Sequence, residues 1–396
     1  MARNPQRRSS DAAGNCVFVL GSGPSSPRLE GEKIEGMTER SMDAAVLYGK
    51  EDLRVERTRI PSAEPGEIVV RVAAALTCGT DLKVYRRGYH ARMLKPPIPF
   101  GHELAGVVSD VGAGVTKLKL GDRVVPLNSA PCDECFFCGR NQQNLCDDLL
   151  FNNGAYAEFI RIPARIVARN TLLVPEEVPL EHAALTEPLA CVIRGLEESG
   201  ARPGDSMIVI GAGPIGLMFM HAAALAGVEV IAVVKRADQV AAAQLFGARQ
   251  VLRIAADQSS EDVAGAARAL TPDGRGADIV IEAVATPATW EQAVAMVRKG
   301  GTVNFFGGPP SGTVVALDTN RLHYGDITLK ASFHHTPATC RTAFELIASG
   351  RFKAAEFITG RATLDELPDV FRRMLTRSTT AGRPDIKTAI EMSAAL

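Results

Sequence analysis

The chain has 396 residues, with 44 Lys and Arg against 45 Asp and Glu, 46% hydrophobic residues and 5% aromatics. At roughly 150 residues per domain this length implies two or three domains, and the balance of charge and hydrophobicity excludes global disorder. A net charge of −1 argues against a nucleic-acid backbone as the main partner, because neutralising phosphates needs a basic excess. Eight cysteines are too sparse for a small disulfide scaffold. Four of them fall between Cys132 and Cys146, which reads as a metal site in a reducing compartment and makes a cytoplasmic location the expectation.

Residues 1–42 are rich in Ser, Gly, Pro and Arg. Their apolar run, Cys16 to Leu20, falls short of the about 7–15 apolar residues of a secretory signal. They are expected to form a disordered extension, with Met37 and Met42 as alternative starts, and Asp11, Glu30 and Glu32 argue against a transit peptide. From Ala44 to about Ile166 short apolar runs alternate with turn residues. Glu67–Val72 follows Pro65-Gly66, Val107–Val111 precedes Gly112, and Val124-Val125 follows Gly121-Asp122. This rhythm predicts a compact β-barrel. After Pro179 the residues Ala183, Ala184, Leu185, Leu189 and Ile193 share one helical face.

From Asp205 the rhythm becomes strand–helix–strand. Met207–Ile210 leads through a glycine turn to a helix near Leu217–Ala226 and then to Val230–Val234. A helix over Gln239–Phe246 ends at Gly247, and strands are expected at Val251–Ile254, Ile279–Ile281 and Thr302–Phe306. Such alternation implies an α/β region with a doubly wound parallel sheet. Helices are expected at Ala338–Ser349 and around Leu364–Met374. Ser206 to Val234 lacks Lys and Arg and has one acid, Glu229, but Gly211, Gly213, Pro214, Gly216 and Gly227 interrupt it, so a buried strand–turn–helix–strand explains it better than a membrane span.

Cys132, Cys135, Cys138 and Cys146 form the pattern C-x2-C-x2-C-x7-C. Four thiolates around one zinc ion make a closed tetrahedral site whose role is structural, since no position is left for substrate. An iron–sulfur cluster is the rival reading, because the first three cysteines match a ferredoxin-type run; the displaced fourth, with no following Pro, favours zinc. Elsewhere, Cys78-Gly79-Thr80-Asp81 follows one barrel strand, Gly101-His102-Glu103 precedes another, and Glu187 stands in Thr-Glu-Pro-Leu.

Taken together, Cys78 with Thr80 and Asp81, Gly101-His102-Glu103-x-x-Gly106, Gly121-Asp122-Arg123-Val124, the four loop cysteines, Glu187-Pro188-Leu189 and Gly211-Ala212-Gly213-Pro214-Ile215-Gly216 resemble the zinc-containing medium-chain alcohol dehydrogenases. The pattern is most similar to the polyol, sorbitol-type branch. The resemblance covers about residue 43 to the C-terminus. It implies a GroES-like β-barrel catalytic domain over 43–197 and 335–396, with a zinc lobe at 130–148, and a Rossmann domain over 198–334. It also implies a homotetramer or homodimer, and two zinc ions per chain. Cys78, His102 and Glu103 would ligate a catalytic zinc, with Glu187 as fourth ligand or as holder of its water. Thr80 would accept the alcohol proton and Asp81 would orient His102. Where the family often has a relay histidine three residues after Thr80, this chain has Lys83.

Gly211-x-Gly213-x-x-Gly216 between a strand and a helix is a dinucleotide-binding pattern. Pro214 and Ile215 fill it, and the helix N-terminus would donate amides to the phosphates. An acid at the end of the second strand would select NAD. The strand instead ends Val233-Val234-Lys235-Arg236. Val234 takes the position of that acid and two cations follow, so NADP is favoured over NAD, with Lys235 and Arg236 toward the 2′-phosphate. The rival reading is that both cations are solvated loop residues and NAD is still used. The expected reaction is hydride transfer between NAD(P) and a secondary alcohol or polyol and its ketone. A threonine-type dehydrogenase is the enzyme rival, and a non-catalytic nucleotide sensor the rival of another class. Tyr85, Tyr156 and the pair His334-His335 are candidates for the substrate pocket.

Overall fold

The computed structural model describes residues 40–90, 92–255, 257–376 and 385–392. Residues 1–39 of the expected extension lie outside that set. Ser41 and Met42, expected within that extension, belong instead to strand β1 (Ser41–Gly49), where they pair with Arg59 and Thr58 of β2 (Asp52–Arg59). Met42 is buried there with Ala44 and Ala157, which gives its side chain a core to enter.

The barrel continues through β3 (Ile68–Leu76), helix α1 (Gly79–Arg87), β4 (Ile98–Pro99), β5 (Leu104–Val111) and β6 (Arg123–Pro126). A short pair, β7 (Ser129–Ala130) and β8 (Leu150–Phe151), brackets the cysteine lobe. Then come β9 (Phe159–Ile162), α2 (Ala164–Asn170), β10 (Thr171–Leu173), α3 (Leu180–Ala183) and α4 (Thr186–Ser199). The helical face expected after Pro179 is thus divided between two helices.

The second unit of architecture is a six-stranded parallel sheet. In chain order it comprises β11 (Ser206–Ile210), α5 (Pro214–Leu225), β12 (Glu229–Val234), α6 (Asp238–Leu245), β13 (Ala248–Arg253), α7 (Ser260–Ala269), β14 (Ala277–Glu282), α8 (Pro287–Met296), β15 (Val297–Phe305), α9 (Thr319–Gly325) and β16 (Thr328–Lys330). The strand order β13-β12-β11-β14-β15-β16 is that of a doubly wound sheet, with its switch point between β11 and β14. All five residues of β11 are buried, as a strand covered on both faces requires.

The chain returns to the barrel through α10 (Pro337–Ala348), α11 (Ala354–Phe357), β17 (Ile358–Thr363), α12 (Leu367–Thr376) and β18 (Lys387–Glu391). β18 pairs with β3, so the last strand lies beside the one that ends at the Cys78 loop. One apolar core runs from Leu76 and Val125 of the barrel through Leu189 and Val192 of α4 to Val209 and Phe219 of the parallel sheet region. Phe219 presses on Gly195 of α4, where a Cβ would lie 2.6 Å from the ring. The two regions are therefore held by packing, with the cleft between them.

Candidate active site

Two sequence segments bring metal-type donors together at the end of β3. Cys78 caps α1 from extended backbone, and its Sγ accepts from the Thr80 N–H at 3.3 Å. His102 and Glu103 arrive from the turn before β5. Gly101 has φ +90°, and a Cβ there would lie 2.6 Å from the Tyr156 ring, so glycine lets this turn close down. The donor atoms of Cys78, His102 and Glu103 lie within 4.8 Å of one another.

The imidazole is fixed from behind. His102 Nδ1 donates to Asp81 Oδ1 at 2.8 Å, and the Tyr156 hydroxyl donates to Asp81 Oδ2 at 2.7 Å. That arrangement leaves Nε2 as the free donor atom, as a metal-ligating histidine requires. Burial opposes the imidazolium form of His102, but the Asp81 carboxylate and the Cys78 thiolate outweigh it and hold the pKa well above the usual histidine range. Thr80 is half-buried at the start of α1. Lys83, further along α1, donates to the Gly308 carbonyl at 3.4 Å.

Sequence reasoning missed Lys387. From β18 its Nζ donates to both oxygens of Glu103, at 2.7 Å for Oε1, and to the Thr77 carbonyl at 3.0 Å. Both side chains are buried. Burial works against the Lys387 ammonium, yet the Glu103 carboxylate keeps its pKa above the ordinary lysine value. No signal in the sequence marks it, because Lys387 opens the mixed segment Lys-Thr-Ala-Ile-Glu and its burial shows only in the fold.

Glu187, in the first turn of α4, is brought together with Cys191 and His334. Burial raises its carboxyl to about 7. Two expected pocket residues lie elsewhere. Tyr156 is fully buried and serves Asp81, and Tyr85 is packed against Phe371 with ring centroids 5.3 Å apart. His335 is also interior, its Nε2 bonded to Asn128 Oδ1 at 2.9 Å and its Nδ1 3.2 Å from the Cys340 sulfur. Burial pushes it down to about 3.

In the lobe, Cys132, Cys135, Cys138 and Cys146 bring four sulfurs within 4.8 Å of one another. The Cys132–Cys146 and Cys135–Cys146 separations are 3.4 and 3.9 Å. A tetrahedral ion with zinc–sulfur bonds of about 2.3 Å needs about 3.8 Å. Hydrogen bonds from the backbone of Asp147 and Cys138 pull Cys135 down to about 6, toward the thiolate a metal takes. The donor set fits zinc.

The dinucleotide pattern occupies the switch point. Gly211 has φ +99°, Gly213 caps α5, and a Cβ on Gly216 would meet the Gly211 carbonyl at 1.9 Å. Pro214 opens α5, and Ile215 packs against the core. Gly213, Pro214, Arg236 and Gln239 line a cleft that extends to Thr77 and Gly79, on either side of Cys78. Arg373 from α12 lines it too. Val234 is buried at the end of β12, whereas Lys235 and Arg236 are exposed beyond it. Arg236 pairs with Asp238 at 3.0 Å, and Gln239 accepts from the backbone N–H groups of both cations.

The family model for the alcohol dehydrogenase GroES-like domain matches residues 64–175, and that for the zinc-binding dehydrogenases matches residues 214–349. The L-threonine 3-dehydrogenase of Pyrococcus abyssi is 31% identical over 346 residues, covering 84% of this chain and 94% of that enzyme. The chain belongs to the zinc-containing medium-chain alcohol dehydrogenases. The barrel of this dehydrogenase is the GroES-like domain of the family and its parallel sheet the Rossmann domain, and the enzyme is an oxidoreductase of the alcohol dehydrogenase type. It is also 29% identical over 343 residues to the sorbitol dehydrogenase of Bacillus subtilis, covering 85% of this chain and 94% of that one. Among solved structures, a protein described as a zinc-binding dehydrogenase from Sinorhizobium meliloti 1021, bound to NADP, superposes with a TM-score of 0.77 at 28% identity, covering 89% of this chain and 99% of that one. Among the described residues no helix is long and apolar enough to cross a membrane.

Proposed function

We propose that this dehydrogenase interconverts a secondary alcohol or polyol and its ketone, with NADP(H) preferred over NAD(H) and with two zinc ions per chain, one in the cleft and one in the cysteine lobe. The observation that carries this reading is the course of the cleft. The cleft lined by Gly213, Pro214 and Arg236 is also lined by Thr77 and Gly79, the residues on either side of Cys78.

Cys78, His102 and Glu103 would hold the cleft ion, with Glu187 across from them. Zinc bound there would supply Lewis-acid polarisation of the substrate oxygen, and the nicotinamide would supply or take the hydride. The chain's own residues do the rest. Asp81 keeps the proton on His102 Nδ1, and Tyr156 keeps Asp81 in place. Lys387 balances the charge of Glu103, so the buried carboxylate stays compatible with its apolar surroundings. The Thr80 hydroxyl takes the alcohol proton. The first amides of α5 receive the pyrophosphate. Arg236 would pair with a 2′-phosphate in exchange for its bond to Asp238, and Val234 would leave the strand end without the carboxylate that selects NAD.

The NADP-bound relative supports the cofactor preference, and the sorbitol-acting relative supports the polyol class. The threonine-acting relative, at slightly higher identity, makes an amino alcohol the competing substrate. A panel of sorbitol, xylitol, inositols, threonine and simple secondary alcohols, each with NADP and NAD, tests the reading. Turnover of a polyol or secondary alcohol with NADP is expected; turnover of threonine alone, or of none, removes it. Assembly as a homodimer or homotetramer belongs to the same proposal and is read by sedimentation.

A further inference from the structure

The segment that joins the Cys78 turn to the His102 turn carries charge of one sign. From Leu82 to His102 the chain has five Lys and Arg and no acid. Arg86, Arg87, Arg92 and Lys95 are exposed, and among the described residues no carboxylate forms an ion pair with any of the four.

The middle of this segment is a built turn. His90 Nδ1 accepts from the backbone N–H groups of Arg92 and Met93 at 3.1 and 3.0 Å, and the His90 N–H donates to the Leu94 carbonyl at 3.3 Å. Asn153 Nδ2 donates to the Met93 carbonyl at 3.1 Å, and Leu94 is buried in the barrel core. An imidazole whose Nδ1 accepts carries its proton on Nε2, so His90 keeps an N–H to donate. Arg92 is held over the ring of Phe333, its guanidinium carbon 5.5 Å from the centroid. Asn144 Nδ2 fixes the Phe333 carbonyl at 2.9 Å. Phe333 in turn lies against His334, with centroids 5.6 Å apart, and His334 is the residue that reaches Glu187 and Cys191. One aromatic ring thus separates Arg92 from the interior of the cleft. Burial, and after it the charges of His335, His102, Arg92 and His90, keep His334 well below the usual histidine range. The charge of Arg87 acts on His90 as well.

We infer that the substrate is an anionic secondary alcohol, a polyol bearing a phosphate monoester or a carboxylate, whose charged end is received by Arg92 with His90 beside it. The inference rests on the polyol reading above and narrows it. A guanidinium presents a planar fork of donors that suits either anion. Cations at the rim of a cleft, with no carboxylates to neutralise them, also raise the local concentration of a ligand of opposite charge.

The test is kcat/KM of the intact, zinc-loaded enzyme with sorbitol 6-phosphate, gluconate and sorbitol, each with NADP and NAD. At low ionic strength at least one anion should exceed sorbitol by about 10–100-fold, the scale of one charged hydrogen bond, and the advantage should shrink as salt is added. Arg92→Gln should lower kcat/KM for that anion about tenfold more than for sorbitol, and Arg92→Lys, which keeps the charge, should restore part of the difference. A larger advantage for sorbitol 6-phosphate identifies the phosphate monoester, and a larger one for gluconate the carboxylate. Sorbitol turned over as well as both anions, or an equal loss on all three in Arg92→Gln, overturns the inference and leaves the polyol reading in place. Turnover of none of the three removes that reading together with it.

Discussion

The lobe that spans Cys132 to Cys146 and the cleft that holds Cys78, His102 and Glu103 solve the metal-donor problem in opposite ways. The lobe takes all four sulfurs from one short loop, bracketed by a two-strand pair, and encloses the space between them. The cleft gathers a cysteine from the end of β3, a His-Glu pair from before β5 and a supporting lysine from β18. A closed set of equal ligands is suited to tying down a loop that has little core. An open, mixed set, with its imidazole oriented by Asp81 and its carboxylate balanced by Lys387, is suited to chemistry on an exchanging ligand. On the proposed two-zinc reading one metal type would serve two ends, and what separates the donor sets is how far the chain must travel to assemble them.

Substitutions should separate the two regions by kind of effect. Cys78→Ala is expected to lower kcat/KM by about 10^3-fold or more, since Lewis-acid assistance is worth several kcal/mol, with the melting temperature little changed. Cys138→Ala should do the reverse: a drop of several degrees in melting temperature, with the surviving folded fraction turning over at a near-normal rate. Lys387→Met would leave the Glu103 carboxylate buried without its partner, and a loss of about 3–5 kcal/mol in unfolding free energy is expected. Asp81→Asn should cost about 10–100-fold in activity or cleft-metal affinity by loosening His102, leaving lobe zinc intact. Arg236→Ala is expected to reduce kcat/KM for NADP by about tenfold, as for one charged hydrogen bond at an exposed position, while NAD use holds.

The smallest effect is one of pH and lies outside both regions. His221 of α5 accepts from the Lys353 N–H at 3.0 Å, and burial, aided by Lys353, lowers its pKa to about 4 from 6.5. Its folded form stays neutral where the unfolded chain binds a proton. The stability it contributes is therefore complete above about pH 6.5 and is lost as pH falls toward 4. His221→Gln, which keeps an acceptor and cannot titrate, should flatten the fall in melting temperature across that window.

Local signals carried much of this. The cysteine spacing, the glycine pattern and the β-branched runs of β11 and β12 are contiguous, so their geometry was legible in sequence. Helix ends fell within a few residues: α6 spans Asp238–Leu245 where Gln239–Phe246 was expected, and α10 spans Pro337–Ala348 where Ala338–Ser349 was expected. Helices α7 and α8 were not foreseen; α7, with Ser259 as its cap, carries a narrow apolar stripe of Val263, Ala264 and Ala267. The long-range partners were beyond reach. Nothing near Glu103 points to Lys387, 284 residues away. Tyr156 resembled a pocket residue because an aromatic hydroxyl suits both a substrate and a buried carboxylate; only the fold, which sets it beside Asp81, decides between them.

The central claim is that the cleft metal performs the chemistry. It is tested most directly by selectively removing that ion, with the lobe zinc retained and verified by metal count, and following NADPH-linked turnover of a secondary alcohol. The account predicts that turnover disappears and returns in proportion to zinc restored at Cys78, His102 and Glu103. Full turnover with that position empty would contradict it.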